Sequence, residues 1–410
     1  MCGAVSSTRA VSTRAWSTWG AIEQSSQPEL SWRPGRPGLL HQEGEDGVRD
    51  PDRQVDGQGV AVGMSGGVDS AVAAMLLRDQ GHRVVGITLR LWSDPEVTDP
   101  RACCSPETAE RAKSVAHSLG IPHIVVDAVE PFREHVVDYF VSEYARGRTP
   151  NPCAKCNSRL RFGLLVHLAR RLGLAWVSTG HYARLTGESR SLARGIDPRK
   201  DQSYVLAEVS PSILEKCIFP LGGMTKDEVR ALAAKADIAG RVSAESQEIC
   251  FIPNDDYRAF LKARLGERPG AIVDRSGRAV GEHSGTYNFT VGQRKGLGVA
   301  ARDPVRVIAI DAGRAEVVVG VEIAGAIGSV GLADVTVHRK DIAGGTSAQL
   351  RSQGGATPAH MIDAHSLVLD EPVAGVALGQ TAVLYHGDEV VLAGTIISTT
   401  PWADDGRSSS

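Results

Sequence analysis

The sequence has few aromatics, 5% Phe, Trp and Tyr together, and no run of about 18 apolar residues of the kind that crosses a bilayer. No membrane partner is expected. Its first 30 residues lack the apolar centre of a secretory signal, which favours a cytoplasmic protein. The lesser alternative, an organellar one, rests on Arg9 and Arg14 in a Ser/Thr-rich stretch that meets no acid before Glu23, as in a transit peptide. A strong net charge is also missing: 45 Lys and Arg face 48 Asp and Glu, so any nucleic-acid surface must be local. Cysteine is scarce. Seven thiols (Cys2, Cys103, Cys104, Cys153, Cys156, Cys217 and Cys250) are an odd number and too few for a disulfide framework in 410 residues. No solenoid repeat is present.

What is present divides into four stretches. Residues 1–57, rich in Ser, Thr, Arg, Pro and Gly with a charged run from Glu43 to Asp56, carry no helical or strand period and are expected to be a disordered extension. Over 58–253, apolar runs alternate with amphipathic stretches: Gly59–Gly63, Ser70–Gln80, Arg83–Leu91, Pro106–Leu119, Ile121–Val126, Asn157–Leu172 and Leu174–Thr179. That order predicts an α/β domain with a doubly wound parallel sheet. Gly81 stops the first helix, Ser105-Pro106 starts the second, and Thr225-Lys226-Asp227-Glu228 is a capping box for a helix reaching Ala236. Beyond Pro253 helices give way to valine-rich strands, at Val305–Ile310, Glu316–Val319, Gln380–Tyr385 and Glu389–Ile397. Two small β-rich domains are expected, 254–322 and 323–410, with a boundary near Val321–Ile327 and a β-barrel at the C-terminus.

The sharpest local signal is Met64-Ser65-Gly66-Gly67-Val68-Asp69-Ser70, between the first strand and the first helix. The two glycines let backbone approach a phosphate, the helix-start amides donate to it, and Ser65 and Ser70 add hydroxyls. Asp69 would repel a bare anion, so a divalent cation is expected to accompany the phosphates. A Walker loop is ruled out by the missing Gly-Lys-Ser/Thr. Gly63-Met64-Ser65-Gly66-Gly67 also fits the nucleophile elbow of an α/β-hydrolase using Ser65, but only 58 residues without strand signals precede it, where an upstream oxyanion motif would lie.

Cys153 and Cys156 lie in Thr149-Pro150-Asn151-Pro152-Cys153-Ala154-Lys155-Cys156-Asn157, read as a proline-fixed loop entering a helix. No second CxxC and no finger-type histidine spacing accompany them, so zinc is not expected, and the surrounding order is not that of thioredoxin. A nucleophile near a helix start remains, with Lys155, Arg159 and Arg161 to lower its thiol pKa, and Cys156 suits it. Cys250, in Ser246-Gln247-Glu248-Ile249-Cys250-Phe251, taken alone reads as a buried inert thiol.

Met64–Ser70 resembles the SGGxDS pyrophosphate loop of the ATP pyrophosphatase superfamily, which contains amide-forming ligases as well as tRNA thiolases. Together with Asn-Pro-x-x-x-Cys-Asn at 151–157 and Ser-Gln-x-x-Cys-Phe at 246–251, the pattern is similar to the tRNA-specific 2-thiouridylase family. Thr179–Ala183, Lys200–Tyr204, Gly281–His283, Phe289–Gly298 and Gly379-Gln380 match it as well, so that the resemblance spans about residues 59 to 400. It implies ATP-dependent 2-thiolation of the wobble uridine of tRNA, with release of AMP and pyrophosphate. Gly63, Met64, Ser65, Gly66, Gly67, Val68, Asp69 and Ser70, with Leu89 and Gly180, would bind ATP, and Asp69 would hold Mg2+ through the phosphates. Cys250 would carry persulfide sulfur and Cys156 would be the nucleophile, the two ending as a disulfide. Asn151, Pro152 and Cys153 would contact the target base, and His181, Lys200, Asp201, Gln202 and Gln380 the tRNA. A cysteine desulfurase or sulfur-carrier protein would supply the sulfur. Cys153 stands where some members have an acid, which leaves the proton-moving group unassigned, and Leu89 stands where the family often has methionine. Between Tyr144 and Lys200, twelve Lys and Arg face only Glu188 and Asp197, which suggests phosphate contacts to an anticodon stem-loop. Work on one base then requires extruding it into a pocket.

Overall fold

Val60, Ala61 and Val62 are an unbroken apolar triplet, and each is fully buried. Only a strand covered on both faces can use such a run. In the computed structural model, which describes residues 56–92, 106–236, 238, 240, 242, 249–300, 303–321, 326–340 and 344–402, this triplet lies in the central strand β1 (Asp56–Gly63). The expected extension up to residue 55, Cys2, Cys103, Cys104, the Ser105 cap, Ser246 to Glu248 and positions 322–325 of the expected boundary lie outside the described residues.

Strands β2 (Arg83–Arg90), β3 (His123–Asp127), β4 (Leu174–Thr179) and β7 (Cys217–Ile218) join β1 in a parallel sheet of order β3-β2-β1-β4-β7. The expected doubly wound sheet is therefore present. Helices Val68–Asp79 and Lys226–Lys235 pack on one face through Ala71, Val72, Leu77, Val229 and Ala233, and helix Phe162–Arg171 packs on the other through Phe162, Leu165 and Ala169. The order reverses between β1 and β4. A crevice opens there, beyond the carboxyl ends of the two strands, where Gly63 lies beside Thr179. The capping box forms as expected: Thr225 Oγ1 accepts from the Glu228 amide, and the Glu228 carboxylate accepts from the Thr225 amide.

Two further sheets follow. Strands β8 (Gly270–Val273), β9 (Ala279–His283), β10 (Arg306–Asp311) and β11 (Glu316–Gly320) form a four-stranded sheet over Ile272, Val307 and Val317. Strands β12 (Ala326–Val337), β13 (Ser347–Gln349), β14 (Thr357–Asp363), β15 (Ser366–Ala374), β16 (Thr381–His386) and β17 (Glu389–Pro401) run β12-β15-β14-β13-β16-β17, and β17 pairs again with β12 to close a barrel. A hairpin from the first part of the chain, β5 (Ala183–Thr186) and β6 (Ser191–Arg194), extends the barrel sheet through the pairing of Ala193 with Glu389. The sequence boundaries did not anticipate this crossing. Its physical basis is a shared core: Val383, Tyr385, Val390 and Ala393 of the barrel pack in one cluster with Ala61, Phe162 and Val177 of the α/β part.

Candidate active site

The crevice begins with the 64–67 turn. Gly66 has φ +72°, and a Cβ on it would lie 2.6 Å from the Thr108 carbonyl oxygen. Ser70 Oγ donates to Gly67 O at 3.0 Å and accepts from the Ser65 amide at 3.2 Å, while Met64 donates its amide to Ile87 O at 2.8 Å. Gly180 backs the turn. A Cβ there would stand 2.6 Å from Ser70 N and 2.7 Å from the Asp69 carbonyl carbon, so only glycine fits. At both glycines backbone packs directly on backbone, which fixes the turn at the start of the helix. It suits a phosphate chain at a helix start.

Asp69 is held from two sides that the sequence reading missed. Lys226 Nζ lies 2.5 Å from its Oδ1 and the Tyr182 hydroxyl donates to the same oxygen at 2.7 Å. Burial, then the Asp69 hydrogen bond, raises the Tyr182 phenol far above its usual range, so it remains a donor. A signal for Lys226 existed. A lysine at the first position of a helix opposes the helix dipole, and such a local conflict marks a residue kept for another reason.

Asn151 caps helix Pro152–Cys156, its side chain accepting from the Ala154 amide at 3.0 Å with Pro152 at the first position. The two cysteines are therefore helical and not in a loop, a correction whose cause is the Asn-Pro pair itself, an N-cap followed by an N1 proline. The helix continues through a π turn, Asn157–Arg161, into Phe162–Arg171. Lys155 does not serve the thiols. Its Nζ, 2% exposed, sits 2.7 Å from Glu208 Oε2 and donates to Thr395 Oγ1 at 2.7 Å, on the barrel side. Arg159 pairs with Asp334 at 3.3 Å and covers the Tyr139 ring. Of the three flanking cations only Arg161 reaches the crevice.

One cavity of about 360 Å³ joins the two ends of the site. Gly63, Met64, Ser65, Asp69, Ser70, Leu89 and Gly180 line it on the loop side; Pro152, Cys153, Cys156 and Cys250 line it on the other, and His181, Asp201 and Gln202 complete the wall. Ser352, from the barrel, also reaches it. Cys156 is buried, and Cys153 and Cys250 are half-buried. Cys217 is apart from the cavity lining: it donates to Ile213 O, and burial pushes its thiol up to about 12.

Gly66, Gly67 and Val68 build the turn without lining the cavity, and Asn151 is occupied by its capping bond. His181 is buried, its Nδ1 2.7 Å from Thr179 Oγ1, with a pKa lowered to about 3 by burial and secondarily by Arg161. Asp201 accepts from Arg194, the Gly195 amide and Ser203, each at 3.0 Å, and Gln202 accepts from the Tyr182 amide at 2.9 Å. Lys200 is exposed, whereas Gln380 lies outside the cavity lining and donates to Thr149 O at 2.9 Å. The local positive charge read between 144 and 200 is smaller in space than along the chain. Acids from elsewhere meet it: Glu143 faces Arg146 and Arg148, Glu208 faces Lys155, Asp334 faces Arg159, and Asp388 faces Arg184.

Three family models match in succession: a tRNA methyl transferase HUP domain over residues 58–254, a tRNA methyl transferase PRC-barrel domain over 258–321, and an aminomethyltransferase β-barrel domain over 336–397. Among curated relatives, the tRNA-specific 2-thiouridylase MnmA of Geobacter metallireducens is 42% identical over 360 residues, 82% of this chain and 96% of that protein. The proteins of that name from Mycolicibacterium smegmatis (44% identity, 82% of this chain and 99% of that one) and Sorangium cellulosum (43%, 87% and 97%) match similarly. A solved structure, a subunit described as of a tRNA methyltransferase from Methanocaldococcus jannaschii, aligns with a TM-score of 0.30 at 20% identity over 50% of this chain and 86% of that one. With a glycine-built turn and three cysteines on one cavity, and relatives matched over nearly their whole length, the chain belongs to the tRNA-specific 2-thiouridylase family.

Proposed function

We propose that the protein is a tRNA-uridine 2-sulfurtransferase that forms 2-thiouridine at the wobble position in an ATP-dependent reaction. The observation that carries this is the single cavity with the glycine-backed turn at one end and Cys153, Cys156 and Cys250 at the other. A methyl transfer would need neither the pyrophosphate turn nor a second thiol. The hydrolase reading finds no support in the geometry, because Ser65 Oγ meets Ser70 Oγ at 3.4 Å and not a histidine.

In this reading the phosphates of ATP lie along the Ser65–Ser70 turn, on the amides that follow Ser65, with Gly63, Met64, Leu89 and Gly180 around the nucleotide. The residues fit Mg2+ to the extent of one carboxylate, Asp69, already held by Lys226 and Tyr182; the ion would neutralise phosphate charge there. Uracil O2 attacks the α-phosphorus and pyrophosphate leaves, which converts the oxygen into a leaving group. Cys250 carries the sulfur as a persulfide received from a desulfurase or carrier protein. The Cys156 thiolate attacks the Cys250 Sγ, the Cys156–Cys250 disulfide forms, and hydrosulfide departs to displace AMP from C2. Alternatively Cys156 displaces AMP from C2 first; the terminal persulfide sulfur of Cys250 then displaces Cys156 from C2, and the freed Cys156 thiolate attacks the Cys250 Sγ, which releases the 2-thiouridine and forms the same disulfide. A reductant then restores the thiols. Asn151, Pro152 and Cys153 would face the base, and Lys200 is the best placed of the tRNA-contact candidates, since the side chains of His181, Asp201, Gln202 and Gln380 already have protein partners. The three stretches 58–253, 254–322 and 323–410 would serve as catalytic domain, connector and tRNA-holding barrel, in the cytoplasm; among the described residues no helix is long and apolar enough to cross a membrane.

The test is mass analysis of nucleosides from tRNA incubated with the protein, Mg-ATP, cysteine and a desulfurase. Formation of 2-thiouridine is expected, with loss in Cys156→Ser and Cys250→Ser. Its absence with the wild-type protein would refute the reading.

A further inference from the structure

The carboxylate of Asp69 has two oxygens, and the fold treats them differently. Oδ1 accepts from the Lys226 ammonium at 2.5 Å and from the Tyr182 hydroxyl at 2.7 Å, so its acceptor capacity is used. Oδ2 has no hydrogen bond or ion pair among the described residues. Asp69 lines the cavity and its side chain is 35% exposed, whereas that of Lys226 is 9% exposed.

The lysine is fixed at both ends. Its ammonium rests on Asp69, and its amide, at the first position of helix Lys226–Lys235, donates to Asp197 Oδ2 at 3.1 Å. The other charges around the pair are compensated locally: Arg199 meets Asp197 at 3.2 Å, and Arg230, one turn along the helix, meets Asp227 at 3.7 Å. The Tyr182 ring lies 5.8 Å from Nζ, and Gln202 clamps the Tyr182 backbone, accepting from its amide and donating its own amide to the Tyr182 carbonyl, each at 2.9 Å. Asp69 and Lys226, 157 positions apart in the chain, thus form a neutral pair held from behind.

An ammonium on a carboxylate stands where a metal cation would otherwise stand, and it repels a second cation. From the cavity a divalent ion meets one oxygen and a fixed positive charge. That is a poor exchange for its water shell, and Mg2+ in particular gives up water reluctantly. Phosphate oxygens would bring both the missing ligands and the missing negative charge.

We propose that Lys226 is a resident cation that keeps Asp69 from binding a free divalent ion, so that the ion is admitted only together with the phosphates of a nucleotide, through Oδ2. This rests on the reading of Asp69 as the Mg2+ ligand. It makes Lys226 a positioning residue that acts through Asp69.

The experiment is Mn2+ binding to the full-length protein without tRNA, read by the paramagnetic resonance of the free ion. The wild-type protein is expected to bind Mn2+ when a non-hydrolysable ATP analogue is present and to show no saturable site at the same concentrations with Mn2+ alone. Lys226→Met is expected to bind Mn2+ alone about tenfold more tightly or better, because the repelling charge is gone. Adding Asp69→Asn removes that gain, Lys226→Arg behaves as wild type, and Tyr182→Phe, which changes no charge, leaves Mn2+ alone unbound. Should Lys226→Met fold poorly, Lys226→Gln is expected to show the same gain. Saturable binding of Mn2+ alone by the wild-type protein overturns the proposal, as does a folded, uncharged Lys226 variant that gains none, or a gain that survives Asp69→Asn. A wild-type protein that binds no Mn2+ even with the analogue overturns the cation reading of Asp69 and the proposal with it. Failure to form 2-thiouridine while this binding pattern holds would instead fall on the sulfur chemistry.

Discussion

At the scale of single residues the site depends on atoms that are missing. Gly180 lacks a Cβ where one would overlap the backbone of Asp69 and Ser70, so Gly180→Ala must displace the turn after β1. We expect at least a tenfold loss of ATP affinity by calorimetry, with the parallel sheet intact by circular dichroism; wild-type affinity would mean that the turn yields at no cost. A half-buried histidine acts in the opposite sense, by refusing a proton. His123 is lowered to about 4, first by burial and then by Lys113, while its unfolded value is 6.5. A depressed pKa means the unfolded chain binds the proton first, so this stability is complete above pH 6.5 and declines as pH falls from 6.5 towards 4. His123→Asn is expected to flatten that part of a urea-midpoint profile by up to one proton, about 1.4 kcal/mol per pH unit. A profile parallel to wild type would exclude His123 as a source. The glycine at 180 was legible from the motif, but the histidine's burial was not, since no local pattern reports what packs over a side chain.

Elements carry the second level, and here the sequence was read one turn too late. Asn151-Pro152 is an N-cap and N1 pair, and its helix begins at Pro152, before the apolar periodicity that places a helix at Asn157–Leu172. Strands β1, β2 and β4 were found because continuous apolar runs bounded by glycine have few other uses. The π turn had no signature. Nor had the pairing of Lys155 with Glu208, which lie 53 positions apart and are 2% and 5% exposed. Such a pair is worth little over an apolar substitute, but breaking it strands a buried charge. Lys155→Met is therefore expected to cost about 3–5 kcal/mol in denaturant unfolding, and Lys155→Met with Glu208→Leu to recover most of it. Equal losses in the single and double variants would show that the hydrogen bonds to Thr395 and Thr381 matter more than the charges.

Over the whole molecule, the barrel is fastened to the cysteine helix and to the segments beside it. Thr149 gives its amide to Leu378 O and accepts from Gln380, Tyr204 donates to Thr381 O at 2.6 Å, and Lys155 and Glu208 reach Thr395 and Thr381. Val383, Tyr385, Val390 and Ala393 belong to the same apolar cluster as Ala61, Phe162 and Val177, whereas the four-stranded sheet has its own core. Units that share a core unfold together, because opening either exposes the apolar face of both. Hydrogen exchange along a denaturant series is thus expected to give β16 and β17 the same opening free energy as β1 and β4, with the sheet of β8 to β11 free to open earlier. If the barrel strands exchange at distinctly lower denaturant than β1, the shared cluster does not couple them and the barrel is a separable appendage. Coupling would also be felt chemically: Gln380→Ala removes one bond to Thr149, worth about 1 kcal/mol, and is expected to raise the alkylation rate of Cys156 in the absence of tRNA. A residue that served only to touch tRNA would leave that rate unchanged.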